Sequence, residues 1–281
     1  MIVWCDGPHD PAENMRRDGL LLESLVWATG IPGVPAEPVL RLFRFQPHGI
    51  TLGHAQDPAR ALDLERCRED GVPWAVRPTG GRAIFHAEEW TYSLAAPIAD
   101  AGWGGSLAEA YARASWLIRA SLARLGVPAV LAARAARGPD PAPGERHASS
   151  ACFAATARHE ILLGGRKLAG SAQRRTARAL LQQGSILLGP GHLRLADYLA
   201  IPAERRREVR DRLRMASADA GSWLGGDAPL ERWAEALRAE LSSAARVVHG
   251  AGGGFLLTLR EAGPYTPAAS KQRDQGLQGN P

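Results

Sequence analysis

Apolar positions recur at helical spacing early in the chain: within residues 14–30, Leu20, Leu21, Leu25 and Val26 share one face and Gly30 stops the run. Residues 106–125 carry the clearest such pattern. Ser106 is placed to cap that helix, and Leu107, Ala110, Tyr111, Ala114, Leu117 and Leu122 return every three or four positions. Between these helices the period drops to two. Residues 38–45 alternate apolar and basic side chains as a strand does, and 50–55 continue the theme. Residues 58–70 form a short helix that buries Cys67, and 74–97 read as a strand, a glycine turn and two extended runs. Residues 133–148 are rich in Pro, Gly and Ala and read as a mobile loop. The segment 149–173 then folds as a hairpin about Gly164 and Gly165, which sets Cys152 and Lys167 near one another. Helices dominate after residue 203, one further strand falls in 249–259, and 266–281 read as a disordered tail. The expected organisation is a main domain over 1–200, a helical portion over 201–265 and the tail.

Composition narrows the class without naming an activity. The chain has 281 residues, 45% hydrophobic and 22% charged, ordinary for a soluble globular protein. It has no run of eighteen apolar residues and no basic-then-apolar leader, so a cytoplasmic protein is expected, with no membrane partner. Cys5, Cys67 and Cys152 are too few and too scattered for a disulfide framework or a metal site; each reads first as an inert buried thiol. A net charge of +5 favours acidic partners, a carrier protein or nucleic acid. The type of cation says more. Only two lysines occur, Lys167 and Lys271, and the rest of the positive charge is arginine. Lys167 sits among small residues in GGRKLAGSAQ, where a compact ammonium on a flexible stem differs from a planar guanidinium in shape and chemistry.

Two segments carry candidate chemistry. In RPTGGRAIFH, residues 77–86, paired glycines allow close backbone approach to a ligand, and Arg77 and Arg82 are placed to pair with a phosphate or carboxylate. It is neither a P-loop nor a dinucleotide fingerprint, and on these residues alone a hairpin turn bordered by solvated arginines is the plainer reading. In 149–173 a cation beside Cys152 would stabilise its thiolate and an attacked carbonyl, with His147 and His159 as candidate bases. The arginine-rich stretch 204–213 reads as a solvated helix face, and Gly252 to Gly254 as a turn.

Together the segments resemble the biotin/lipoate protein ligase family and, within it, the bacterial octanoyltransferases of the LipM type. The likeness runs over about residues 10–190. It begins at PAENMRRDGLLLESL and continues through Arg41, Pro47, Thr51, Gly53 and Gln56. It then takes in Arg77, Thr79, Gly80, Gly81, Arg82, His86, Glu89, Thr91, Tyr92 and Ser93. It ends on Cys152, Lys167, Gly170, Ser171, Gln173, Gln183, Gly184 and Ser185. Val76 before Arg77, Ala87 after the histidine, and the chain beyond 250 depart from the pattern. The resemblance implies an α+β fold, mixed β-sheets flanked by helices, with a small C-terminal helical portion. It implies an acyl chain held between the TGGR loop and the strand carrying Gly170, Ser171 and Ala172. It implies that Cys152 takes octanoyl from acyl carrier protein, that Lys167 ionises the thiol and orients the carbonyl, and that a lysine of a lipoyl domain, such as glycine cleavage H protein, receives the group. No cofactor, metal or nucleic acid is called for, and a monomer is expected. The alternatives are an ATP-dependent lipoate–protein ligase, against which Arg82 in place of a third glycine and the presence of Cys152 both argue, and a non-catalytic carrier-binding homologue.

Overall fold

The structure is a computed structural model that describes residues 1–132, 159–225, 228–241 and 245–249. The chain starts with strand β1 (Ile2–His9) and helix α1 (Pro11–Ala28), whose N-cap is Asp10: its side chain accepts from the Glu13 amide. Strands β2 (Val39–Phe45) and β3 (Gly49–Leu52) follow. The helix expected over 58–70 is two short ones, α2 (Pro58–Ala61) and α3 (Leu64–Glu69), each capped by its own aspartate, Asp57 and Asp63; Cys67 is buried as expected. Next come β4 (Trp74–Val76), β5 (Ile84–His86) and β6 (Glu89–Pro97). Helix α4 (Leu107–Arg124) begins at Ser106, which with Glu109 forms a reciprocal capping box.

Beyond β7 (Val130–Leu131), the hairpin of β8 (Ile161–Leu163) and β9 (Arg166–Arg175) turns on Gly164 and Gly165, both at positive φ. Strand β10 (Ala179–Leu187) leads to a 3-10 turn (Pro190–Arg194), then α5 (Leu195–Tyr198), α6 (Ala203–Ala216), α7 (Gly221–Leu224), α8 (Leu230–Glu240) and β11 (Arg246–His249).

Eight strands form one mixed sheet in the order β11-β1-β2-β6-β10-β9-β8-β7, parallel among β11, β1 and β2 and antiparallel from β2 onwards. A second sheet of three strands, β4-β3-β5, sits beside it. Here the glycine turn at 80–81 departs from a hairpin. Strands β4 and β5 do not pair with each other; β3 lies between them, parallel to β4 and antiparallel to β5. The loop therefore crosses over the end of β3.

Both faces of the large sheet are covered. Leu21, Leu22 and Leu25 of α1 pack with Trp4, Val39, Ala95 and Leu181 on one face. Helices α4 and α8 cover Val3, Leu40, Leu42, Trp90, Leu94 and Ile186 on the other. The helices after residue 200 thus share the sheet's core: Trp233 stacks on Trp90 at 5.2 Å between centroids and donates its indole N–H to Ser121. The solvated face expected of α6 holds in part: Arg207, Arg212 and Arg214 are exposed and pair along the helix with Asp211 and Glu208, Arg206 and Arg210 reach off it to Asp63 and Asp197, and Val209 and Leu213 point inward. The segments 133–148, 250–259 and 266–281 lie outside the described residues.

Candidate functional site

At the junction of the two sheets the sequence brings together residues far apart in the chain. The TGGR loop is fastened from beneath by Arg77. That side chain is buried and donates to the carbonyls of Gly80 (2.8 and 3.1 Å), Arg82 (2.8 Å) and Thr51 (3.2 Å). Five donors in a planar fork suit such multidentate work. Arg77 is thus engaged by the loop itself, whereas Arg82 is half-buried and its side chain makes no hydrogen bond or ion pair among the described residues. The loop also closes on β3: His54 donates its amide to the Thr79 carbonyl at 2.9 Å. A β-carbon on Gly53 would lie 2.1 Å from the Gly81 oxygen. Gly81 itself adopts φ +94°, which favours glycine.

Thr79 is fully buried and donates its hydroxyl to Gln183 at 2.7 Å; Gln183 in turn donates to Asp18 of α1 at 2.6 Å. Asp18 belongs to a buried charge cluster on which α1 is seated. Arg41 is fully buried and holds Asp6 (2.8 Å), Asp18 (2.7 Å) and the Asn14 side chain (2.6 Å), with Phe43 under its guanidinium. In the alternating strand pattern Arg41 reads as a surface cation; it is an internal fastener.

His86 is also buried. Its Nδ1 lies 2.5 Å from Glu89 and its Nε2 2.7 Å from the Thr51 hydroxyl, and its ring stacks on Phe45. Glu89 accepts from Thr91 and Ser185 as well. Across the sheet Tyr92 contacts Ser171 at 2.9 Å and accepts from Gln182; burial pushes its phenol above the ordinary range, so it stays protonated.

These groups enclose a narrow slot of about 40 Å³. Of the predicted substrate-binding residues, Arg77, His86, Gly170, Ser171 and Ala172 line it, and Thr79 and the two glycines stand directly behind. Met15, Phe45, Ile84 and Ala172 supply apolar walls, and Thr51, Thr91, Gln183 and Ser185 polar ones. Of these, Met15, Phe45 and Ile84 were missed by sequence reasoning: β5 is buried at every position and β2 at all but one, so no alternation singles them out.

Lys167 lies on β9 three residues before Gly170, roughly 10 Å along an extended strand. It is buried, and its ammonium donates to Glu160 at 2.6 Å; Glu160, equally buried, was not anticipated. Cys152 and His147 lie outside the described residues, as does Lys271. His159 does not reach the slot. It borders a separate cavity of about 720 Å³ on the α4 face, with Trp103, Trp116 and Leu241.

Gly-rich loop, sheet junction and buried lysine strand together define a fold and site for which close relatives exist. The chain belongs to the lipoyl protein ligase A/B catalytic-domain family, whose pattern it matches over residues 10–242. It is 38% identical over 250 residues to octanoyltransferase LipM of Symbiobacterium thermophilum, covering 86% of this chain and 85% of that one. With octanoyltransferase LipM of Moorella thermoacetica it shares 36% over 203 residues, 72% and 70% of the two chains. Among solved structures, the bipartite lipoate protein ligase of Thermoplasma acidophilum superposes with a TM-score of 0.64 at 17% identity, over 92% of this chain and 90% of that one. Lipoate-protein ligase A bound with ATP gives 0.61 at 18% identity, over 93% and 94%. These two likenesses establish the α+β fold with mixed sheets.

Proposed function

We propose that this chain is an acyltransferase of lipoate assembly. It takes octanoyl from acyl carrier protein, holds it as a thioester on Cys152 and transfers it to a lysine of a lipoyl-domain protein such as glycine cleavage H protein. The observation that carries the reading is the slot between the TGGR loop and Gly170–Ala172, on the same strand as buried Lys167, in a chain 33–38% identical to octanoyltransferases.

Two exchanges follow. The Cys152 thiolate attacks the carrier thioester, a new C–S bond forms, and the carrier thiolate leaves and takes a proton. The neutral amine of the acceptor lysine then attacks, the amide C–N bond forms, the Cys152 thiolate leaves, and the amine's proton passes to solvent. Thioester exchange is nearly balanced and amide formation is downhill, so ATP is not required. Lys167 supplies positive charge beside the thiolate and the developing oxyanion, and Glu160 fixes where that ammonium sits. At about 40 Å³ the slot must widen to accept an octanoyl tail.

Incubation with octanoyl-acyl carrier protein without ATP, followed by peptide mass spectrometry, is expected to show octanoyl on Cys152. Cys152→Ala should abolish transfer, and Lys167→Arg should impair it despite keeping the charge. No adduct, combined with modification of a lipoyl domain by ATP and free lipoate, would replace this reading with a ligase. Full transfer by Cys152→Ala would remove the covalent step.

A further inference from the structure

The slot ends against a wall whose far side is open. A groove of about 1020 Å³ runs along α1, lined by Leu22, Val26 and Trp27 and also by Arg16, Glu23, Arg174 and Arg178, and two residues line both spaces: Met15 and Arg77. These two form the partition. Arg77 is immobilised by its bonds to loop carbonyls. Met15 is held by apolar packing against Phe43 and Phe45 and by a Gln183 amide 3.4 Å from its sulfur.

The register gives the partition its direction. Gln183 pairs with Ala172, and Ser185 pairs with Gly170, which is closer to Lys167 along β9. The slot therefore runs from the Lys167 end, at Gly170 and Ser185, to the Met15 end, at Ala172 and Gln183. An acyl chain whose carbonyl sits by Lys167 has its tail at Met15. The strand from Lys167 to Ala172 covers about 16 Å, against roughly 9 Å for the seven bonds of an extended octanoyl chain. The remainder spans the thioester and the lysine stem.

From this, and resting on the octanoyl-transfer reading, we infer that Met15 is the chain-length stop: its side chain closes the tail end of the slot, and truncating it joins the slot to the part of the α1 groove lined by Leu22, Val26 and Trp27. Longer acyl chains are then accepted. Burial is worth up to about fourfold in binding per methylene, or ~200-fold for four carbons if all are buried. A bulkier residue in the same place shortens the slot.

The test compares kcat/KM for hexanoyl-, octanoyl- and dodecanoyl-acyl carrier protein in the full-length wild type, Met15→Ala and Met15→Phe, with the acyl adduct weighed in each. Met15→Ala is expected to raise the dodecanoyl-to-octanoyl ratio at least tenfold, and Met15→Phe to raise the hexanoyl-to-octanoyl ratio. If the wild type transfers octanoyl and both variants keep its chain-length profile, the stop is not Met15. If the wild type accepts no acyl group from the carrier, it is the transfer reading that fails. Should Met15→Ala not fold, Met15→Phe decides: an unchanged hexanoyl-to-octanoyl ratio overturns the inference.

Discussion

The close approach of Gly53 to the TGGR loop makes the site's geometry testable with a single methyl group. In Gly53→Ala the new β-carbon would lie 2.1 Å from the Gly81 oxygen, 2.8 Å from its carbonyl carbon and 3.1 Å from the Gly80 carbonyl carbon. All three are backbone atoms. β-carbons essentially never sit closer than 3.0 Å to another heavy atom, so the Gly81 carbonyl must retreat by at least 3.0 − 2.1 = 0.9 Å. It cannot retreat alone, because Arg77 ties the Gly80 and Arg82 carbonyls together and the His54 amide holds Thr79. The loop moves as a unit and pulls Thr79 from Gln183 in the slot wall. A misplacement near 1 Å in a positioning group costs on the order of 100-fold in rate, whereas overpacking at one site costs about 1–3 kcal/mol of stability. The variant should therefore remain folded by thermal melting yet form the octanoyl adduct about 100-fold more slowly. Gly80→Ala is the internal comparison. A β-carbon there meets nothing within 4 Å and no unusual φ is imposed, so its melting temperature should match the wild type. A Gly53→Ala protein that is folded and acylated within about threefold of the wild-type rate would refute the argument that this contact positions the loop.

Three further outcomes follow from the core. Arg41→Met leaves Asp6 and Asp18 buried without their shared cation and should cost about 3–5 kcal/mol in chemical denaturation; a loss under 1 kcal/mol would show the cluster to be dispensable. Trp233→Ala removes a ring stacked on Trp90 and should cost about 3–5 kcal/mol within one cooperative transition; a separate early transition would mark the C-terminal helices as an independent unit. Burial pushes the Cys5 and Cys67 thiols up to about 11, helped by Glu231 for the first and by Asp63 and Asp70 for the second. At pH 8 both should resist iodoacetamide until the protein is unfolded. The sign is fixed: because the fold favours the neutral thiol, its contribution to stability is complete below pH 9 and is lost as pH rises from 9 to about 11, a trend that denaturation curves across that window would check.

What was legible in the sequence followed local physics. Helix α4 announces itself by its period and its capping box, and the hairpin at Gly164 and Gly165 by two residues that tolerate positive φ. Strand β1 was not legible. It is covered on both faces, Trp4 beneath α1 and Val3 and Cys5 beneath α4 and α8, so its residues do not alternate, and Asp6 reads as surface charge when it is buried between Arg17 and Arg41. Strand β10 was hidden for a related reason. Its two glutamines look like loop residues, but Gln183 bonds to Asp18, 165 positions away, and to Thr79, 104 away. Such partners exist only after the sheet has formed. The same limit applies to Met15, whose place between slot and groove is set by how α1 lies on the sheet.

The chemistry of the cations draws these levels together. Where the chain needs rigidity it uses arginine: Arg41 binds three partners of α1 and β1, and Arg77 binds three carbonyls around the TGGR loop, each exploiting a planar fork whose geometry allows no sliding. On the strand that lines the slot it carries Lys167, an ammonium on a long stem set against the Glu160 carboxylate. A fork in that position would need several fixed acceptors and would lock in one geometry. The proposed reaction asks for the reverse, since the cation must serve the Cys152 thiolate, then the oxyanion of the first exchange, then that of the second, each in a slightly different place. If the proposed reaction holds, the scarcity of lysine has a physical reason: at Arg41 and Arg77 a planar fork meets the structural demand for positive charge, and the ammonium stands where the proposed reaction moves charge.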